Sequence, residues 1–309
     1  MKDCIKYSPR ASLALVGNRI KGMGIWQTIA DYVTIKQKTV THTPIEKLQD
    51  AFINIMAGGQ GVSEVNQRVR PDAGLSAAFG REKCADQSTI SATLNRCESQ
   101  NVIEMKNACR EIYRQYGQGY RHHYSKTLQI LDADMSGMPA GRQGEGVEKG
   151  YFAKQKSKRG RQMGRVYASL YDEIVAEQLY NGKTQLNRSL RLLIEESEET
   201  LKLNSGFRRQ TIVRVDGGGG NDEDINWLLK RHYQILVKVT HWKRVKKLAS
   251  SVVQWDTDPN DSCRQAGWIE SPIEYEKTTR QLAVRCRTKK TNGEQRFWLF
   301  HSLMSNVCG

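Results

Sequence analysis

Hydrophobic positions in this chain follow two periods, and the change from one to the other divides it. Ile45, Leu48, Phe52, Ile55 and Met56 recur at three- and four-residue spacing and stop at Gly58 and Gly59, which predicts an amphipathic helix ended by glycine. Helices are also expected over 89–94, capped by Asp86 or Ser88, and over 101–116. Residues 40–118 thus read as a small all-helical domain, after a segment, 1–39, whose periodicity is too weak to assign. From residue 125 onward, short branched runs take over and predict strands over 128–134, 165–170, 174–180, 211–216 and 234–239. Helices over 187–203 and 225–231 separate the later strands. In the first of these helices Leu190, Leu193, Ile194 and Leu201 share one side and Glu195, Glu196, Glu198 and Glu199 the other. Beyond residue 240 the alternation with helices stops, and 252–255, 281–288 and 296–303 read as strands, the last two joined by a turn at 291–294.

Three strands joined without helices, followed by strands reached through helices, predict an α/β (α+β) fold with an RNase H-like mixed sheet and flanking helices. A linker at 119–124 separates the helical domain from this core over 125–240, and a β-rich block occupies 241–309.

Two of the predicted strands end on acids. Asp132 and Asp134 follow an apolar run at period-two spacing and so face the same side, while Asp216 ends the run Thr211, Ile212, Val213, Arg214, Val215. Behind Asp216, Gly217 to Gly220 allow close approach, and Asn221, Asp222, Glu223 and Asp224 suit a helix N-terminus. Open α/β sheets place their sites at this end of parallel strands. Carboxylates there suit hard cations such as Mg²⁺ or Mn²⁺, two of which can serve phosphodiester chemistry. The plainer alternative is that these aspartates only cap turns.

Composition narrows the choice. The 309 residues carry a formal net charge of +15, which favours a polyanionic partner, nucleic acid before a membrane surface. Basic residues cluster at 154–165, where Lys158, Arg159, Arg161 and Arg165 are candidate phosphate contacts, and at 238–247. Seven scattered cysteines without ligand spacing read as thiols of a reducing cytoplasm, and no apolar stretch or leader pattern points to a membrane. Ser88 and Thr89, at the start of a short helix, are weaker DNA-contact candidates, with an ordinary helix cap as the alternative. His122 and His123 could touch phosphate or metal but fit a linker better; Trp227, Trp242, Trp255, Trp268 and Trp298 could stack on bases but fit packing better.

The stretch LDADMSGMPAG, the segment GYFAKQKSKRGRQMGRVYASLYDEIVAEQLYNGKT and the run TIVRVDGGGGNDEDINWLLKRHYQILVKV together resemble an insertion-sequence transposase of the DDE, RNase H-like superfamily, in the group with a β-strand insertion before the final glutamate. The resemblance implies cleavage at transposon ends and transfer of 3′-hydroxyls into target DNA, with two Mg²⁺ ions (or Mn²⁺). Its partners would be the terminal inverted repeats and target duplex, with a homodimer as an option. It places the first catalytic, metal-holding aspartate on Asp134, with Asp132 as the rival, and the second on Asp216. The family's third acid lies in a pattern of Tyr, two residues, Arg, three residues, Glu, six residues and Lys, which is not found: Thr278 and Leu282 stand where Tyr275 would require Arg and Glu. The expectation is therefore a chain truncated before its last catalytic helix, impaired in catalysis or reduced to a DNA-binding inhibitor or remnant.

Overall fold

A computed structural model describes residues 7–38, 41–150, 152, 158–239, 242–289 and 295–305. The chain divides into two compact units, residues 1–116 and 117–309.

The first unit is helical. Its helices are α1 (Ala11–Gly22), α2 (Ile25–Tyr32), α3 (Pro44–Met56), α4 (Val65–Arg68), α5 (Ala73–Ala78), α6 (Gln87–Leu94) and α7 (Ser99–Tyr116). Local chemistry sets the start of α3: Thr43 and Glu46 form a reciprocal capping box around Pro44. Ile53, Val65, Val69, Leu75, Phe79 and Ile90 form one core, and Ile29, Val33, Ile35 and Ala108 another. Helices α1 and α2 lie in the segment where periodicity predicts nothing. The reason is visible in α1, whose one buried residue is Gly17: a Cβ there would sit 2.5 Å from the Phe79 ring. Leu13, Ala14 and Ile20 pack on the same core, but the glycine between them and the exposed Leu15 and Val16 blur the stripe.

The second unit is built on one mixed sheet. Its elements in order are β1 (Gln129–Pro139), β2 (Glu148–Lys149), β3 (Arg159–Ala168), β4 (Glu173–Asn181), α8 (Leu190–Leu201), α9 (Ser205–Arg209), β5 (Thr211–Val215), α10 (Asp222–Lys230), β6 (Gln234–Val239), α11 (Trp242–Ala249), β7 (Asp256–Asp258), β8 (Asp261–Trp268), β9 (Thr279–Lys289) and β10 (Gln295–Ser305). Strands β4, β3 and β1 run antiparallel to their neighbours, and β1, β5 and β6 are parallel, which is the RNase H-like order. The β3–β4 turn carries Asp172 at φ 56°. Leu190, Leu193 and Ile194 of α8 are fully buried, as are Leu131, Val166 and Ala168, and α8 packs on β1, β3 and β4. That apolar layer fixes the strands on which the acids sit.

Beyond β6 the structure departs from the periodicity. Residues 252–255 are not a strand; α11 precedes them and β7 and β8 follow. Lysine and arginine dominate α11, yet Val245, Leu248 and Ala249 are buried on one side. Strand β8 (DSCRQAGW) is polar and owes its extension to pairing with β9, Arg264 opposite Cys286 through Trp268 opposite Leu282. Strands β9 and β10 do form and pair, and β10 continues the sheet by running antiparallel to β6. The turn expected at 291–294 lies outside the described residues.

Candidate active site

The parallel register of β1 and β5 sets Asp132 beside Arg214 and Ala133 beside Val215. One position further along each chain stand Asp134 and Asp216. With neighbouring strands about 4.8 Å apart, the two acids emerge side by side at the carboxyl end of β5. Asp134 lies within β1, which runs five residues past it to Pro139.

The three aspartates differ in what neutralises them. Arg214 donates through Nε and Nη2 to both oxygens of Asp132, and its Nη2 lies 3.3 Å from Ser169 Oγ. The Asp132 hydrogen bond raises the Arg214 pKa. A metal ion at Asp132 would have to displace a guanidinium. Among the described residues, Asp134 accepts from the backbone N–H of Met135, at 2.7 Å, and Asp216 from that of Gly218, at 2.8 Å, each through Oδ1. Arg165, cross-strand from Asp134, pairs with Glu177 instead, at 3.0 Å. Among the described residues, neither Asp134 nor Asp216 forms an ion pair, so no side-chain cation there compensates the acid pair.

The surroundings hold this arrangement in place. A Cβ at Gly220 would lie 2.8 Å from the backbone oxygen of Lys238, and one at Gly219 2.7 Å from Val215 Cγ1, so the glycine run packs tightly behind Asp216. The acids that follow have structural duties. Asp222 accepts from Arg244 Nη1 at 2.8 and 2.9 Å and from Tyr275 Oη at 3.1 Å, while buried Asp224 accepts from Arg191 Nε at 2.8 Å. Burial, with Asp222 adjacent, raises the Tyr275 pKa.

Among the described residues no three His, Cys, Asp or Glu side chains converge as a metal cage. Two uncompensated carboxylates nevertheless suit Mg²⁺, which usually keeps several waters and binds through one or two carboxylates together with substrate phosphates.

The other candidates separate. Lys158 and Arg159 line a cleft at the far end of the β1–β3 pair, whereas Arg161 donates to the carbonyls of Leu179 and Tyr180, each at 3.4 Å. Ser88 Oγ donates to Asp86 Oδ1 and Thr89 Oγ1 to the Asp86 carbonyl, both at 2.8 Å, so the cap uses the protons a phosphate would need. Eight residues part α5 from α6, more than the short turn of a helix-turn-helix. The rings of Trp255 and Trp268 each face a guanidinium at 4.1 Å, from Arg285 and Arg280, and Trp227 faces Arg231 at 4.8 Å. The side chains of Trp242 and Trp298 lie outside the described residues.

His122 is buried between the Tyr171 hydroxyl, 2.6 Å from Nδ1, and the Thr127 carbonyl, 3.0 Å from Nε2. The carbonyl can only accept, so Nε2–H donates to it and Nδ1 accepts from the Tyr171 hydroxyl, an arrangement made for neutral imidazole. Burial lowers the His122 pKa below its ordinary 6.5. The unfolded chain therefore binds the extra proton first, and the stabilisation by neutral His122, present above pH 6.5, is lost as pH falls from there through the lowered folded-state pKa. Thermal melts over mildly acidic pH should fall more steeply for the wild type than for His122→Asn. Equal slopes would remove His122 as the cause.

A family model described as transposase DDE domain, group 1, matches residues 8–296. Comparison with curated proteins returns no match. Among solved structures, the chain is similar to the piggyBac transposase synaptic complex with hairpin DNA, at 12% identity and TM-score 0.42, over 98% of this chain and 64% of that one. It is also similar to the Mos1 transposase paired-end complex with left transposon end, at 10% identity and TM-score 0.26, over 65% and 60% of the two chains. The chain thus spans less than two thirds of the length of either structure.

Proposed function

Because this chain belongs to the group 1 transposase DDE domain family, we propose that it cuts DNA at the ends of a mobile element and joins the freed 3′-hydroxyls to target DNA, with Asp134 and Asp216 as its metal-holding acids. One observation carries this assignment: of the three aspartates at the β1–β5 edge, Asp132 is paired with Arg214, while Asp134 and Asp216 have no cationic partner among the described residues. An uncompensated acid pair costs electrostatic energy in the metal-free protein and is best explained by a cation that binds there. When bound, Mg²⁺ or Mn²⁺ supplies Lewis acidity and lowers the pKa of coordinated water. The protein's own contribution is placement. The β1–β5 ladder sets the spacing of the two carboxylates, Met135 and Gly218 N–H groups orient them, and the Arg165–Glu177 pair keeps a nearby guanidinium off Asp134. Duplex DNA is the partner in this reading, and a homodimer would hold two ends together.

A second reading has its own support. The described residues bring no third acid to the pair, which favours a chain that occupies element ends without cutting them. Incubation with Mg²⁺ and a supercoiled plasmid carrying the chain's own gene with its flanks separates the two. Strand breaks with free 3′-hydroxyls, lost in Asp134→Asn and Asp216→Asn, support the enzyme. Binding at the flanks without breaks supports the inhibitor, and no binding overturns both.

A further inference from the structure

At the end of the β1–β3 pair away from α8's core layer, Arg142, Lys149, Lys158 and Arg159 line one cleft of about 830 Å³ together with Pro139, Ala140 and Gly141. The fold assembles this group from separate stretches of chain: β1 and β3 meet there with Pro139 opposite Gly160, and β2 folds back so that Lys149 lies opposite Arg159. Backbones crowd at this point, since a Cβ on Gly160 would lie 2.1 Å from the Met138 carbonyl oxygen. The four cations are therefore carried on a tightly packed frame. All four are exposed, and none forms an ion pair among the described residues. Of the nearby acids, Glu148 serves Lys183, accepting from its backbone N–H at 3.2 Å with Nζ 3.9 Å away, and exposed Glu145 is not part of the lining. Gathering four uncompensated cations is unfavourable unless an anion with several charges occupies the cleft.

Resting on the transposase reading, we propose that this cleft grips the phosphate backbone of the same DNA duplex whose scissile phosphate lies at Asp134 and Asp216. The site is shallow and its cations are exposed on long side chains, which suits a run of phosphates better than one enclosed anion. The distance also fits. The five residues from Asp134 to Pro139 span about 17 Å of antiparallel strand, which is about five base pairs of B-form duplex. A duplex lying along β1 reaches the cleft half a turn from the acids. Contacts of this kind position DNA without reading its sequence.

The test is the salt dependence of binding to a labelled DNA duplex of arbitrary sequence, followed by fluorescence anisotropy in Mg²⁺-free buffer. In the quadruple variant Arg142→Ala/Lys149→Ala/Lys158→Ala/Arg159→Ala, the slope of log K against log salt should become shallower by about 3 to 4, close to 0.9 for each phosphate no longer neutralised. The charge-preserving variant Arg142→Lys/Lys149→Arg/Lys158→Arg/Arg159→Lys should keep the wild-type slope, and melting curves of both should match the wild type. If the alanine variant melts early, Lys149→Ala/Lys158→Ala alone should reduce the slope by about 2. An unchanged slope in folded variants overturns the cleft while leaving the transposase reading in place. A reduction seen with duplex RNA but not with DNA also overturns it. Failure of the wild-type chain to bind any DNA duplex overturns the cleft and the transposase reading together.

Discussion

Asp134→Asn and Asp216→Asn each abolish the stabilisation of the protein by Mg²⁺ and lower metal-dependent DNA cleavage by about 10³-fold, the equivalent of about 4 kcal/mol of transition-state stabilisation. The binding readout needs no catalysis. An ion that binds only the folded chain, present at ten times its dissociation constant, adds about 1.4 kcal/mol, which raises the melting temperature by about 3–5 °C for a unit of this size. Either asparagine removes a carboxylate oxygen from a site to which the described residues bring two carboxylates, and the rise should vanish. Asp132→Asn gives the opposite pattern. It breaks the Arg214 pair, which is partly exposed, and so lowers the melting temperature by the equivalent of about 1 kcal/mol, but the Mg²⁺ response survives. Differential scanning fluorimetry across a Mg²⁺ titration checks all three variants. A Mg²⁺ response that persists in Asp134→Asn and disappears in Asp132→Asn would transfer the first acid to Asp132. No response in the wild type would remove the metal site from the free protein.

The choice between Asp132 and Asp134 shows what a sequence can carry. Period-two spacing puts both acids on one face, but their difference depends on Arg214, a residue 82 positions away that pairs with Asp132 only because β1 and β5 are parallel and in that register. β5 and β6 are legible as branched apolar runs, and β6 falls where the pattern puts it, Gln234–Val239, whereas β3 begins at Arg159, six residues before the expected 165, and β1 runs to Pro139, because the polar stretches there are held by pairing with each other. Hidden elements leave a blurred pattern or none: α1 docks through Gly17 between Leu13 and Ile20, with Leu15 and Val16 exposed beside them, and β8 is a polar strand held by its neighbour β9. The basic run shows the same limit. Sequence groups Lys158, Arg159, Arg161 and Arg165, whereas the structure spends Arg165 on Glu177 and Arg161 on backbone carbonyls. It brings Arg142 and Lys149 to the first two instead. Charge runs report composition, and tertiary pairing decides which charges remain available.

Asp50→Ala should destabilise the helical unit by roughly 3–5 kcal/mol, the cost of stripping one partner from a buried ion pair. Asp50 is fully buried in α3, and Arg81 is 4% exposed. Arg81 donates to Asp50 through Nε at 2.9 Å and Nη2 at 3.2 Å, and the Ala85 N–H donates to the same carboxylate at 2.7 Å. Alanine leaves the Ala85 amide without that acceptor and the Arg81 guanidinium without its buried counter-charge, with partly exposed Glu46 and the Lys83 carbonyl among the acceptors that remain. Set against a typical domain stability of about 5–15 kcal/mol, the loss is enough to unfold the unit under mild denaturant. The double variant Asp50→Ala/Arg81→Met removes the stranded charge and should recover part of the loss, because replacing both partners of a buried pair with apolar groups is often close to neutral. Urea denaturation followed by helical circular dichroism measures both, and strictly additive losses would show that the two side chains act independently. The same variant gives the helical unit a functional test. If duplex affinity falls in proportion to the fraction of that unit unfolded, its helices bind DNA; if affinity holds, the basic cleft and the acid edge of the second unit account for binding without them.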